Sequence, residues 1–132
     1  MKKLKVIIEK SADYYDAYCE NCSGVYGAGN SPSEAKANLE EGLELYITST
    51  EKEKLPVVLR GSFYISYKYD AQSFLNYYDK VFSKTALEVL TGINQKQLHH
   101  YASGLKKPRE AQLKKIESAL HNLGKELLSI EL

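Results

Sequence analysis

Apolar and polar residues alternate along the N-terminal part of the chain, which is typical of β-strands with one buried face. In the first such run, Leu4, Val6 and Ile8 share a face. Tyr14–Cys19 alternates again after a polar turn at Ser11–Asp13. Two alternating runs separated by a short polar turn predict a β-hairpin.

A short Gly-rich stretch follows the hairpin. Val25 and Tyr26 predict a brief third strand, which we expect to end in a turn at Gly27–Asn30. The stretch contains neither the Walker pattern nor GxGxxG, so it does not predict nucleotide binding.

The next segment carries the signals of a helix start. Ser31 can act as the N-cap, Pro32 occupies the first helical position, and Glu34 is placed to complete a capping box. The helix is expected to continue to about Ser49 and to pack on the sheet through an apolar stripe. That stripe consists of Ala35, Leu39, Leu43, Tyr46 and Ile47.

A last strand completes the N-terminal half. Residues 57–60 can form a short extended piece, and Phe63–Tyr69 alternates clearly enough to predict a strand. The resulting order is βββαβ, which can close as one sheet layer and one helix layer. We therefore expect residues 1–70 to form an α+β domain.

Residues 71–132 show helical spacing instead and predict an all-α domain. Asp70 is a candidate N-cap for a helix whose stripe is Phe74, Tyr77, Tyr78, Val81 and Phe82. After Pro108, a final helix carries an apolar seam of Leu113, Ile116, Leu120, Leu123 and Leu127. Two interpretations of the seam stay open: packing within the domain, or contact with a second copy.

Two short helical patterns meet across a glycine between Ser83 and Pro108. Ser83 is a plausible N-cap, and Gly92 can end the first helix in the left-handed conformation. Asn94 then offers a second N-cap, and Gly104 a second C-cap position. We expect Gln95, Lys96 and His100 to project outward, where a recognition helix contacts base edges in the major groove.

This segment resembles the phage-repressor-like (Xre-type) helix-turn-helix. The matching residues are Gly92, Asn94, Gln95, Leu98, Tyr101, Gly104 and Lys106-Lys107-Pro108. The resemblance implies operator DNA as a partner and contacts to its backbone from Lys84, Asn94, Lys106, Lys107 and Arg109. Lys84 stands where that family usually has a Gln. The simpler alternative is two packed helices followed by a solvated basic loop.

Charge is distributed unevenly, although the net charge is only +1. Residues 1–70 hold nine Lys and Arg against eleven Asp and Glu, whereas residues 71–132 hold nine against six. Within residues 94–115, six cations are opposed only by Glu110. Such a local excess attracts a polyanion through counterion release.

The N-terminal half resembles the HicB antitoxins of bacterial toxin–antitoxin pairs. The resemblance rests on the strand order and on the stretch GVYGAGNSPSEAKANLEEGLELYI, Gly24–Ile47. It implies a partial RNase H-like fold that binds a small RNA-cleaving HicA toxin and has no catalysis of its own. Asp13, Asp16 and Glu20 are too few to gather the metal ions that an RNase H-type nuclease needs.

No cofactor, metal or membrane is expected. Cys19 and Cys22 form a single CxxC without a second ligand pair for zinc, and they do not open a helix as a redox pair would. No apolar run approaches transmembrane length, and the N-terminus lacks a signal-peptide pattern, so we expect a cytoplasmic protein.

Three hypotheses follow from the sequence. The first is an antitoxin that neutralises a HicA-like mRNA interferase and represses its own operon. A single helix-turn-helix per chain then predicts an even homo-oligomer, a dimer or a tetramer, on two-fold symmetric DNA. The second is a protein-interaction module whose helical half only dimerises. The third is a nuclease, which would require metal-dependent RNA cleavage.

Overall fold

The computed structural model describes all 132 residues, which form two compact units, Met1–Asp70 and Ala71–Leu132. The first unit contains a four-stranded mixed sheet and one α-helix, and the second contains four α-helices. The fold class is therefore α+β.

The sheet of the first unit has the spatial order β3-β2-β1-β4. Its strands are β1 (Lys2–Lys10), β2 (Tyr15–Cys19), β3 (Tyr26–Gly29) and β4 (Phe63–Tyr69). β1 pairs antiparallel with β2, as the predicted hairpin requires, and β2 pairs antiparallel with β3. β4 pairs parallel with β1, so a crossover connection must separate β4 from the three earlier strands.

Tyr26–Gly29 of the Gly-rich stretch forms the predicted third strand, and because this strand includes Gly27–Gly29, the turn predicted at Gly27–Asn30 is wrong. A Cβ atom added to Gly27 would lie 2.3 Å from the backbone nitrogen of Leu39 and 2.6 Å from the carbonyl oxygen of Ala35. A Cβ at Gly29 would lie 2.7 Å from side-chain atoms of Glu34. The two glycines therefore allow β3 to lie directly against a helix.

That helix is α1 (Pro32–Ser49), and it begins as predicted. The Ser31 side chain accepts a hydrogen bond of 3.1 Å from the backbone N–H of Glu34, and Pro32 occupies the first turn. α1 packs its apolar stripe on the sheet. The buried core of the unit is made of Leu4, Val6, Ile8, Ala17, Val25, Ala35, Leu39, Leu43, Leu55 and Leu59.

The connection from α1 to β4 contains two 3₁₀ turns, Lys52–Lys54 and Val57–Leu59. The extended piece predicted at residues 57–60 is therefore wrong. Side chains satisfy the carbonyl groups of this connection: Arg60 Nε donates to the Leu55 oxygen at 2.9 Å, and Lys2 Nζ donates to the Val57 oxygen at 2.7 Å. Leu55 and Leu59 of this connection are buried in the core.

The second unit consists of four α-helices, which are α2 (Ala71–Tyr77), α3 (Lys84–Thr91), α4 (Gln95–Ser103) and α5 (Glu110–Leu128). Asn76 links α2 to α4 by donating to the Ala102 carbonyl oxygen at 2.8 Å. The buried core is Leu75, Leu87, Ile93, Leu98, Tyr101, Ala102 and Ile116.

α2 is shorter than the predicted stripe. A 3₁₀ turn at Tyr78–Lys80 follows it, and the backbone N–H groups of Val81 and Phe82 both donate to the Tyr78 oxygen. This tighter winding rotates Val81 out of the stripe, and its side chain is 67% exposed.

The seam of α5 is buried only in part. Ile116 belongs to the core and Leu120 packs against it, whereas Leu113 and Leu127 are exposed. Packing within the unit therefore accounts for the middle of the seam and leaves both ends of it at the surface.

Candidate nucleic-acid interface

The turn between α3 and α4 is built by local hydrogen bonds. α3 ends at Gly92, which has φ 75° in the left-handed region and donates its N–H to the Glu88 carbonyl oxygen at 2.8 Å. The Thr91 hydroxyl donates to the Leu87 oxygen and accepts the N–H of Ile93. Ile93 follows Gly92 and is buried under the turn.

The N-terminus of α4 is held by two side chains. Asn94 Oδ1 accepts the N–H of Lys96 at 2.8 Å, which confirms Asn94 as the N-cap. Glu88 Oε1 of α3 accepts the N–H of Gln95, also at 2.8 Å. The helix ends at Gly104, again in the left-handed conformation, as predicted. These bonds, together with buried Leu98, Tyr101 and Ala102, determine which face of α4 is outward.

The three residues predicted to contact bases do not share one environment. Gln95 and Lys96 are exposed on the first turn of α4, and Gln95 Oε1 accepts a hydrogen bond from the Thr85 hydroxyl at 3.3 Å. His100 was expected to project outward but is half-buried, and its Nδ1 is buried without a hydrogen-bond partner. The loop after α4 folds back there, since the Lys106 N–H donates to the His100 carbonyl oxygen.

Lys84 does not occupy the free surface position expected of a phosphate contact. Its side chain is only 8% exposed, and its Nζ lies 2.7 Å from Asp79 Oδ1. The hydrogen bond and the charge of Lys84 hold the pKa of Asp79 below its usual range. The 3₁₀ turn before α3 carries Asp79 and brings this carboxylate against Lys84, so the ammonium group is already paired. Lys84 is thus a structural ion-pair residue here.

Three of the four remaining predicted backbone contacts lie together around one concave site, which we term the basic pocket. It has a volume of about 550 Å³ and is lined by Gln97, Tyr101, Lys106, Lys107, Arg109 and Gln112. Its lining contains no carboxylate, and its three cations take part in none of the ion pairs of the chain. Asn94, by contrast, is exposed at the other end of α4.

Gln97, Gln112 and the Tyr101 hydroxyl were missed by sequence reasoning. Gln97 Nε2 donates to Tyr101 Oη at 3.0 Å, which leaves the hydroxyl hydrogen able to donate to an anion. The N-terminus of α5 adjoins the same pocket, and Arg109 at its N-cap makes no side-chain capping bond. The sequence analysis identified the cations Lys106, Lys107 and Arg109 of this pocket, but its polar uncharged lining comes from α4 and from the start of α5.

The cysteines and carboxylates of the chain do not come together in one site. Cys19 and Cys22 are free thiols, and burial together with a hydrogen bond to Cys19 raises the pKa of Cys22 to about 12. Asp16 accepts hydrogen bonds from the hydroxyls of Ser11 and Tyr26, which lower its pKa. No three His, Cys, Asp or Glu side chains come close enough together to hold a metal ion.

None of the helices combines the length and apolarity that crossing a membrane requires.

Comparison with family models, with curated proteins and with solved structures produced no match. The function is therefore inferred from the side chains and geometry of each unit and from the sequence resemblances.

Proposed function

We propose that this chain is a cytoplasmic antitoxin-type transcriptional repressor. In this proposal, Ala71–Leu132 binds operator double-stranded DNA through a helix-turn-helix formed by α3 and α4. Met1–Asp70 adopts a partial RNase H-like arrangement and neutralises a small HicA-like mRNA interferase by direct binding. The chain itself has no catalytic role.

The first turn of α4 is the main observation that supports DNA binding by the second unit. Gln95 and Lys96 are exposed on a helix whose orientation is determined by the Asn94 cap, the Glu88 carboxylate and three buried side chains. Gln can bond bidentately to adenine and Lys can bond to guanine in the major groove. A short, rigidly oriented helix that presents these two side chains is suited to contacting base edges.

The basic pocket supplies the matching backbone contacts. Lys106, Lys107 and Arg109 are unpaired cations that follow α4 directly, so they can neutralise phosphates while α4 occupies the groove. Lys84 is not among these contacts, because its ammonium group is bound to Asp79. Asn94 can still donate from its amide nitrogen, since only its oxygen is used in the cap.

The test of this half compares Lys96→Ala and Gln95→Ala with the matched charge change Lys125→Ala, which lies in the last turn of α5. Affinity for DNA from upstream of the protein's own reading frame is measured by fluorescence anisotropy. Each of the first two variants should lose about 1–3 kcal/mol of binding free energy and relax specificity at one base position. Lys125→Ala should bind as the wild type does. Wild-type affinity in Lys96→Ala would contradict the assignment of α4.

Homodimerisation completes this proposal, because a two-fold symmetric operator requires two copies of the motif. The exposed apolar residues at the end of the chain favour such a contact: Leu127 is 56% exposed and Leu128 is 90% exposed. The same residues favour the second candidate function, a dimerisation module without DNA binding. Salt dependence separates the two, since binding through several phosphates weakens steeply between 50 and 200 mM salt.

The toxin-binding half rests on the resemblance of Gly24–Ile47 to HicB and on the acidic outer surface of α1. The test is co-expression with the product of the reading frame next to this one, which the proposal predicts to be a small basic protein. We expect the two proteins to purify together and RNA cleavage by the partner to stop. RNA cleavage that continues in the presence of this chain would refute the antitoxin role.

A further inference from the structure

An apolar groove separates α1 from β4 in the first unit. It has a volume of about 260 Å³. Leu43 and Ile47 of α1 and Phe63 and Ile65 of β4 supply its apolar surface, while Glu40 and Glu44 stand exposed beside it on α1. Ile47, Phe63 and Ile65 are only half-buried, so apolar surface remains available to a ligand. We term this site the acidic groove.

The strand beside the acidic groove is an edge strand. β4 has β1 as its only strand neighbour in the order β3-β2-β1-β4. The outer side of an edge strand carries backbone N–H and C=O groups that can pair with another chain. A groove between an edge strand and a helix accepts an extended peptide, which adds to the sheet while alternate side chains enter the groove.

The charges around the acidic groove indicate which kind of peptide it can bind. α1 carries Glu34, Glu40, Glu41 and Glu44 against a single cation, Lys36. The Lys36 ammonium lies 4.5 Å from the centre of the Tyr67 ring and 5.1 Å from that of Tyr69, so these rings hold it against the sheet. The helix surface along the groove is thus anionic.

One of these carboxylates is held in place before any ligand arrives. Glu40 Oε1 accepts a hydrogen bond from the Tyr67 hydroxyl. Burial and this bond to Glu40 raise the pKa of Tyr67, so the hydroxyl keeps its proton and continues to donate. A positioned carboxylate beside an apolar surface favours a ligand that combines an aliphatic stem with a cationic end, as Lys and Arg do.

We infer that the acidic groove binds an extended, basic segment of a protein partner, which pairs with the edge of β4 and places Lys or Arg beside Glu40 and Glu44. This inference rests on the proposed function, and it identifies the surface that binds the toxin. An RNA-cleaving protein needs cationic residues to hold its substrate. A segment that places such residues against Glu40 and Glu44 removes them from RNA, which explains neutralisation without catalysis.

The test uses the full chain and the product of the adjacent reading frame, which the proposed function predicts to be a small basic protein. Glu44→Lys reverses a charge at the groove, and the matched control Glu41→Lys makes the same change on the same helix outside the groove lining. Thr48→Tyr fills the groove from a position that also lines it. Affinity is measured by titration calorimetry, and thermal unfolding and operator binding verify that each variant is folded.

We expect Glu44→Lys and Thr48→Tyr each to weaken binding of the basic protein by tenfold or more, and Glu41→Lys to bind as the wild type does. Equal affinity in all three variants would overturn the groove assignment while leaving the antitoxin function intact. If the wild type does not bind the basic protein, the antitoxin function fails and this inference fails with it. If Thr48→Tyr instead lowers the sedimentation mass of the free chain, the groove holds a second copy, and the inference is also overturned.

Discussion

The two compact units differ in what they leave exposed. In Met1–Asp70, tyrosines account for half of the exposed large apolar residues, and a tyrosine ring can pack while its hydroxyl remains in water. In Ala71–Leu132 every such residue is aliphatic: Val81, Val89, Leu90, Leu105, Leu113, Leu127, Leu128, Ile130 and Leu132. Aliphatic side chains have no polar group to keep in water, so the helical unit exposes more purely apolar surface than the sheet unit does.

The two units also differ in the sign of their exposed charges. The first unit concentrates carboxylates on α1 along the acidic groove, whereas the second concentrates unpaired cations around the basic pocket. One chain therefore presents surfaces of opposite sign on separate units. The proposed function, in which one unit binds a basic protein and the other binds DNA, is compatible with this separation of charge.

The largest effect is expected from Gly27→Val, which acts on the first unit. The added Cβ would meet the backbone of α1 rather than a side chain that can move, so β3 and α1 must separate. We expect a loss of about 3 kcal/mol in the free energy of unfolding, measured with urea. The control Gly124→Ala lies inside α5 with nothing near the new methyl group and should stabilise the protein by about 0.5–1 kcal/mol. Equal stabilities for the two variants would contradict the close contact at Gly27.

The next effect concerns the second unit and its exposed aliphatic residues. Leu127→Asp should weaken the proposed homodimer by about 2 kcal/mol for each side chain that the contact buries, and should leave the folding of the monomer intact. Sedimentation equilibrium measures the dissociation constant. Leu45→Asp, an exposed leucine of α1, is the matched control and should not alter dimerisation. A dimer that survives Leu127→Asp unchanged would place the contact elsewhere.

A smaller effect distinguishes two lysines of the second unit. Lys106→Ala should lower DNA affinity uniformly across sequences and reduce the slope of log affinity against log salt by about 1. Lys84→Met should leave that slope unchanged, because the ammonium group is paired with Asp79 and does not reach phosphate. The measurement is a salt series of anisotropy titrations. A reduced slope in Lys84→Met would mean that the Asp79 pair opens on DNA.

The smallest effect is a pH dependence of stability. The pKa of Asp79 is lowered from 3.8 by Lys84, so the folded protein binds the proton less tightly than the unfolded chain does. The stabilisation is therefore present above pH 3.8 and is lost as the pH falls through the lower folded value. The difference in unfolding free energy between wild type and Lys84→Met should shrink over that range. A difference that stays constant down to pH 2 would exclude the Asp79 pair as its cause.

Local features of the fold could be predicted residue by residue. Ser31, Ser83 and Asn94 cap the helices that they were expected to cap, and Gly92 and Gly104 end helices in the left-handed conformation. The strand Phe63–Tyr69 also has its predicted limits. Each of these features depends on hydrogen bonds or side-chain alternation within a few residues, so the neighbouring sequence contains the necessary information.

The environment of a residue in the candidate DNA-binding site was predictable only where near neighbours in the sequence determine it. Gln95 and Lys96 are exposed because their position on the first turn of α4 makes them so, and spacing alone predicts this. His100 follows the same spacing but is half-buried, and the loop after the helix bonds to its carbonyl group through the Lys106 N–H. Lys84 is a cation and was predicted to contact phosphate, but Asp79 in the 3₁₀ turn before α3 pairs with it instead.

By itself, the sequence determined the types of the main elements, their caps and the uneven distribution of charge between the two halves. The tertiary structure decided that Gly27 serves close packing and not a turn, that Lys84 is paired, and that residues from α1 and β4 form one acidic groove. The physical reason is distance along the chain: capping and alternation act between near neighbours, whereas burial, pairing and grooves depend on which distant segments the fold brings into contact.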